Sequence, residues 1–453
     1  MNNIIYELIK ILFFSIALLI SYNTKNEIIE INELEKMNQI PMIENNINNS
    51  NKKSIKDVLF VNGCNPKYLP HPYRYRILHQ MEQLNAGFLE SDEFYYTNLE
   101  PNIVCNYRVI IFYRCPLTPQ IEKGIKLAKE LNKKVLFDID DLVIDTKYTD
   151  ILPFLKTLTP KQRKLYDNGV IKMGQTLKLC DGAITTTEVL AKELKNYVPI
   201  VYINKNVASE EMWKLSVNAT LNKRKKENDD SIIIGYFSGS LSHNPDIEMI
   251  IPALIKIFNE FKNVKLLLFG DITFPDNLKE YSSQIINKTY VDWRELPEII
   301  SNVDINIAPI EDNIFNAAKS ENKWVEAALV KIPTVASNIG AFKKVIIQKQ
   351  TGFLCSNNIE WYKYLKKLII NENLRNTIGE NAYQICKKKY NTIYTGRKLA
   401  NFIKSFTNKH IAFFVPTLKI SGGIYVILKH ACFLKDQGWD VDLILTDISM
   451  NLI

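Results

Sequence analysis

The chain reads as an α/β protein built on parallel sheets, and three observations carry that reading. From Ser54 onward, short apolar runs rich in Val, Ile and Phe alternate with stretches of helical period, the order that a parallel sheet with crossover helices requires. The 453 residues are 46% hydrophobic and 23% charged, which supplies apolar material for two or three cores. The formal net charge of +8 is modest for this length, and its densest block, Lys223 to Lys226, runs directly into acidic residues. No basic stripe interleaved with aromatics is present, which excludes nucleic-acid binding of the usual kind.

Residues 1–53 stand apart as a hydrophobic segment and a tether. Ile11 to Thr24 is uncharged and flanked by Lys10 and Lys25, short of the about 20 apolar residues that a spanning helix needs. SYNTKN offers a poor signal-peptide cleavage site. An interfacial anchor, a misplaced start and the tail of an upstream domain all remain open. The Asn-, Glu-, Ile- and Lys-rich stretch from Lys25 to Lys53 has little core potential.

Residues 54–222 are expected to form a first domain, with strands at DVLFVNG, VIIFYR, KVLFDIDD, GAITTT and PIVYIN separated by helices such as PQIEKGIKLAKELNK. In open parallel sheets ligands bind beyond the carboxyl ends of the strands. That rule singles out Asp138, Asp140 and Asp141, as groups that orient a ligand or cap the next segment rather than as metal ligands. Arg74 and Arg76 follow the first strand, and Arg114 ends VIIFYR. Each either faces the cleft, where the guanidinium fork suits an acceptor phosphate, or lies on a solvated helix face.

Residues 223–230 read as a linker and 231–408 as a second domain. Asn244 and Pro245 start a helix with Asp246 and Glu248 in its first turn. VKLLLFGD is the next strand, WRELPEII a short helix, and DINIAPI a buried strand. The following stretch, NAAKSENKWVEAALVKIPTVASNIG, is the most informative in the chain. Spacings of four and three place Lys319, Lys323 and Glu326 on one helix face, with Val325, Ala327, Ala328 and Leu329 on the core side. Near a helix N-terminus the lysines would reinforce a diphosphate site and the carboxylate would accept ribose hydroxyls. A solvated charged face is the alternative.

Seven cysteines lack C-x-x-C spacing or a paired histidine pattern, and only five histidines are present. The chain therefore suits a reducing compartment, and no structural metal is expected.

The order of these motifs resembles GT-B glycosyltransferases of the large retaining family four, in the variant found among O-antigen and rhamnan-type polysaccharide enzymes. The resemblance covers Ser231 to Tyr390 most specifically. There IIIGYFSGSLSHNPD resembles the first strand and glycine loop, KSENKWVEAALVKIPTVAS the nucleotide-sugar motif, and TGFLC the next strand. Glu326 falls seven residues before Pro333, where the family keeps the second glutamate of its E-x7-E pair. RYRILHQMEQL, FDIDD and CDGAITTTEVLAKEL resemble the acceptor half less specifically.

The resemblance implies two Rossmann-like, doubly wound domains facing a cleft, with the helices from Asn358 to Phe406 crossing back to the first. It implies transfer of a sugar from a nucleotide-diphosphate donor to a cell-surface polysaccharide or lipid-linked glycan precursor. Retention at the anomeric carbon, no metal, no cofactor beyond the donor substrate, and a cytoplasmic location with peripheral membrane contact are expected. Lys319, Lys323 and Glu326 would be catalytic, with Gly239, Ser240, His243 and Ser320 joining Glu326 around the donor, although His243 equally suits capping the loop. Arg74, Arg76, Arg114, Asp140 and Asp141 would lie on the acceptor side.

The sequence departs from the family pattern at three places. The first glutamate of the pair falls at Ala318, Lys331 stands where a glycine is usual, and the basic residues of the first glycine loop are absent around Ser240 and His243. These departures keep open a catalytically inactive nucleotide- or glycan-binding scaffold, a remnant of a larger enzyme. Residues 409–453 resemble the opening of another GT-B module. Gly422 and Gly423 would line its loop and Gly438 would stop its helix. About 40 residues cannot bury a full core alone, so a truncated multi-module polymerising enzyme is expected.

Overall fold

The computed structural model describes residues 55–67, 69–223, 230–238, 244–270, 272, 274–407, 410–415, 421–436 and 439–445. The N-terminal segment, most of the linker, the Gly239, Ser240 and His243 loop, and Gly438 lie outside the described residues.

Strands β1 (Lys56–Asn62), β2 (Ser91–Tyr95), β3 (Tyr107–Tyr113), β4 (Lys134–Asp138), β5 (Gly182–Thr185) and β6 (Ile200–Ile203) form one sheet in the order β2-β1-β3-β4-β5-β6. Every neighbouring pair is parallel. Strands β7 (Ile232–Ser238), β8 (Val264–Gly270), β9 (Ile285–Lys288), β10 (Ile305–Ala308), β11 (Thr334–Ser337) and β12 (Phe353–Cys355) form a second, ordered β12-β11-β10-β7-β8-β9. It too is parallel throughout. The expected α/β class, with two doubly wound parallel sheets, is what the chain adopts.

Both sheets are buried on both faces, as crossover helices require. In β1, Leu59 and Val61 join Ile110, Phe112 and Phe137 in one cluster, while Val58 and Phe60 join Ile111 and Leu136 in another. The second cluster includes Leu399, Ala400 and Ile403 of the helix Thr392–Thr407, and Phe402 stacks on Tyr202 at 4.1 Å between ring centroids. That helix therefore packs on the first sheet. In exchange, the helix Glu210–Leu221 packs on the second, where Ala219 meets Phe237 and Leu267. The same helix also brings Met212 against Tyr75 and Val207, so it touches both halves.

Two backbone devices open each sheet toward ligand. The winding direction reverses between β1 and β3 and again between β7 and β10, and such switch points are where doubly wound sheets bind. Beyond β1, a Cβ on Gly63 would stand 2.2 Å from the Arg114 carbonyl oxygen beyond β3, so only glycine lets these loops touch. Gly270, at φ +103°, likewise lies against the Ser238 carbonyl.

His79 opens the helix His79–Ala86, is 2% exposed, and its Nδ1 lies 2.7 Å from the Val207 carbonyl oxygen. Only a protonated Nδ1 can use that acceptor. Burial, with the nearby Arg74 charge, lowers its pKa to about 3, and burial lowers that of His71 to about 4. Each group takes up a proton on unfolding below pH ~6.5, so the unfolded state binds more protons and stability rises with pH. Stability is expected to fall steadily from about pH 6.5 toward pH 4, and His79→Gln should flatten that slope. Urea unfolding at a series of pH values checks both expectations.

Strands β13 (His410–Val415) and β14 (Asp440–Leu445) pair in parallel, joined through the helix Gly422–Asp436. This is the strand, helix, strand order read from the sequence.

Candidate active site: a cleft between two sheet mouths

Directly after β1 the chain runs into Pro70–Tyr73, a π-helical turn Arg74–Leu78, and the helix from His79. A π-turn widens the helix locally and is common at functional sites. Here it sends neighbouring arginines in different directions. Arg76 is fully buried, with Nε and Nη2 on the Asp138 carboxylate at 2.8–3.0 Å and Nη1 donating to the Asn204 carbonyl at 2.7 Å. Neither a cleft position nor a solvated face describes it, because all three guanidinium nitrogens are spent on buried acceptors. Asp138 is correspondingly structural. Its burial pushes the carboxyl up to about 6, against the pull of Arg76 and Gln80.

Arg74 is also buried, and its Nη2 lies 3.3 Å from Oε1 of Glu326. Its guanidinium sits 4.5 Å from the ring centroids of both Tyr75 and Trp293. These contacts hold Arg74 within the protein, while its buried Nε has no hydrogen-bond partner among the described residues. Arg114 does reach the cleft. Its left-handed backbone, φ +47°, turns the side chain toward Asp140 at 2.6 Å and toward Asp141. Tyr113 donates its hydroxyl to Asp140 at 3.1 Å. Both aspartates thus share one guanidinium, an arrangement that fixes their orientation.

In the second domain the expected single helix is broken. Ile314–Ala317 ends, and Asn322–Leu329 begins after a non-helical Glu321. At this break Ala318 is buried, and its carbonyl accepts the Thr187 hydroxyl at 2.8 Å. Lys319 consequently lies in the turn, while Lys323 and Glu326 keep their shared face on the second helix. Trp324 anchors that helix, fully buried with Nε1 donating to the Thr351 carbonyl at 3.0 Å. Asn306 of β10 holds its first turn through the Lys323 carbonyl, also at 3.0 Å.

No side chain caps this helix. Glu321, at the capping position, instead binds Lys205 at 2.6 Å and accepts the Tyr390 hydroxyl. The helix N-terminus is left open toward the cleft. Beside it the Lys323 Nζ is cut off from solvent without a hydrogen-bond partner, 4.4 Å from the Tyr236 ring centroid. Burial lowers its pKa to about 8, opposed by the Asp246 charge. Lys319 is lowered by the same cause.

These elements enclose two adjoining lobes. One, of about 480 Å³, is lined by Arg114, Asp140, Asp141 and Tyr166 from the first domain and by Asp246, Glu311, Asn316, Lys319 and Ser320 from the second. The other, of about 570 Å³, is lined by Phe237, Phe269, Tyr290, Leu296 and Glu326. His71, Tyr75, Arg114, Asp141, Asn322 and Lys323 border both lobes. Sequence reasoning missed Glu311 and Asn206 here, and read Asp246 only as a first-turn acid. Asp246 is buried and accepts from the Glu311 backbone N–H at 2.9 Å. Burial and the Asp246 charge raise the Glu311 pKa. Glu311 sits at the end of DINIAPI, the one signal that could have found it. Among the described residues no group of three or more His, Cys, Asp or Glu side chains is arranged to hold a metal ion, and no helix is long and apolar enough to cross a membrane.

Residues 218–385 match the family model described as Glycosyl transferases group 1. The stretch includes the second sheet, the open helix and both lysines. The capsular polysaccharide biosynthesis glycosyltransferase CapM of Staphylococcus aureus is 25% identical over 227 residues, 49% of this chain. The chain spans 58% of that curated relative's length. The structure of HepE from Anabaena in complex with UDP and glucose superposes with a TM-score of 0.51 at 13% identity, over 77% of this chain and 100% of that one. A sucrose-phosphate synthase from Thermosynechococcus elongatus gives 0.51 at 13%, over 77% and 99%. The fold is that of GT-B glycosyltransferases, and the family match and the relative support group 1.

Proposed function

We propose that this chain is a glycosyltransferase that moves a sugar from a nucleotide-diphosphate donor to a cell-surface polysaccharide or a lipid-linked glycan precursor. The observation that carries the reading is the Lys323 amine, buried without a hydrogen-bond partner beside an uncapped helix N-terminus at the mouth of a nucleotide-binding type of sheet. A diphosphate supplies both the charge and the acceptors which that arrangement lacks.

In this reading the aromatic and aliphatic wall of Phe237, Phe269 and Leu296 takes the base, Glu326 the ribose, and Lys319, Lys323 and the helix N-terminus the diphosphate. The lobe lined by Asp140, Asp141, Glu311 and Asn316 holds the donor sugar and the acceptor, with Ser320 beside them. Rate enhancement then comes from juxtaposing two substrates and stabilising the departing diphosphate with lysine cations rather than a metal ion. Transfer proceeds with retention, on the cytoplasmic side. The seven free thiols suit a reducing compartment.

Thermal unfolding in the presence of UDP, GDP, ADP and dTDP sugars, with and without magnesium, tests the proposal. Selective stabilisation by one nucleotide without magnesium, followed by release of its diphosphate, is the expected result. Folded protein that responds to none of them would leave a scaffold as the function.

A further inference from the structure

We propose that Arg74 and Tyr75 are positioning residues for the donor ribose, acting across the cleft through Glu326, an inference that rests on the nucleotide-sugar reading above. Both donors go to one carboxylate oxygen. Tyr75 donates its hydroxyl to Oε1 at 2.8 Å, and Arg74 donates to the same atom at 3.3 Å. Among the described residues no donor is directed to Oε2, and Glu326 forms part of the lobe wall. A carboxylate held at one oxygen by two donors keeps its rotamer and presents the other oxygen to hydroxyl donors, which is what a vicinal diol requires.

The two donors are themselves fixed. The Arg74 guanidinium is flanked by the Tyr75 and Trp293 rings, and Tyr75 is packed among Met212, Trp324 and Val325. Burial and the Glu326 charge raise the Tyr75 pKa, so its hydroxyl stays protonated and remains a donor. The π-turn makes this possible by directing Arg74 and Tyr75 to the second domain while Arg76 reaches Asp138 in the first. Ribose recognition therefore needs both domains, although the carboxylate belongs to one.

The test compares the affinities of UDP, GDP and ADP with those of their 2′-deoxy forms, for the full chain and for Tyr75→Phe and Arg74→Lys. The wild-type chain should favour the ribo form of its nucleotide by roughly tenfold, the scale of one hydrogen bond to a charged group. That preference should fall to about twofold or less in Tyr75→Phe and should shrink in Arg74→Lys. A merely structural role would weaken both forms alike and leave the ratio intact, which overturns the proposal. A wild-type chain indifferent to the 2′-hydroxyl overturns it as well. A chain that binds no nucleotide refutes the nucleotide-sugar reading and this inference together.

Discussion

Replacing Lys323 by Met is expected to lower nucleoside-diphosphate affinity by about 10- to 100-fold, the range for a charge-assisted hydrogen bond formed in a desolvated site. The same change should leave thermal stability unchanged or slightly raised, because the amine is an unsatisfied buried group in the free protein. Few substitutions separate binding from stability in this way. The pH dependence gives an independent check. The free amine titrates near pH 8, below its ordinary value of 10.5, because burial disfavours the cation. A bound diphosphate favours the cation and restores the higher pKa. Between about pH 8 and 10.5 binding must therefore take up a proton, and affinity must fall as pH rises through that window. Titration calorimetry at pH 9, in buffers of different ionisation enthalpy, should show proton uptake for the wild-type chain and much less for Lys323→Met. Lys323→Arg should bind without that pH dependence, since guanidinium stays charged throughout. Equal proton uptake in all three proteins would move the diphosphate elsewhere in the cleft.

What the sequence made legible follows from what each residue buries. Nine of the strands in the two large sheets were legible, most of them as apolar runs that crossover helices bury. Of the three that escaped notice, β2 and β9 are the edges beside β1 and β8 with half-buried or exposed residues, so SDEFY and IINK carry no such run, and β11 is a four-residue strand inside the nucleotide-sugar motif. The spacing of Lys323 and Glu326 was readable as one helix face because it is local. The break before them was not, and the Ala318 carbonyl beside that break is held by a Thr187 hydroxyl 131 positions away in sequence. Arginine roles were the least legible. Arg74, Arg76 and Arg114 all follow strand ends, yet one pairs across the cleft, one is buried with Asp138, and one braces two aspartates. A π-turn and a left-handed backbone decide among these, and neither has a reliable signature in side-chain periodicity.

Arg76 provides the contrasting experiment, because this charged group is removed from both solvent and cleft. Replacing it by Met strands the Asp138 carboxylate, which is 0% exposed, together with the Asn204 carbonyl and the Asn206 side chain that share its guanidinium. Removing one partner of a buried pair typically costs 3–5 kcal/mol, more than the intact pair contributes, because the remaining charge has no solvent. The expected result is a loss of about that size in urea unfolding. Arg76→Lys should fall between, since an ammonium keeps the charge but cannot span Asp138 and Asn204 together. Arg76→Met combined with Asp138→Leu should recover part of the loss, and a double-mutant cycle measures the coupling. Nucleotide affinity, measured well below the unfolding transition, should change little in Arg76→Met, because Arg76 borders neither lobe. Loss of binding at full foldedness would instead mean that Asp138 transmits strain along FDIDD to Asp140, Asp141 and Arg114. The two lesions thus separate what the first domain's π-turn does for the fold from what the second domain's open helix does for the ligand.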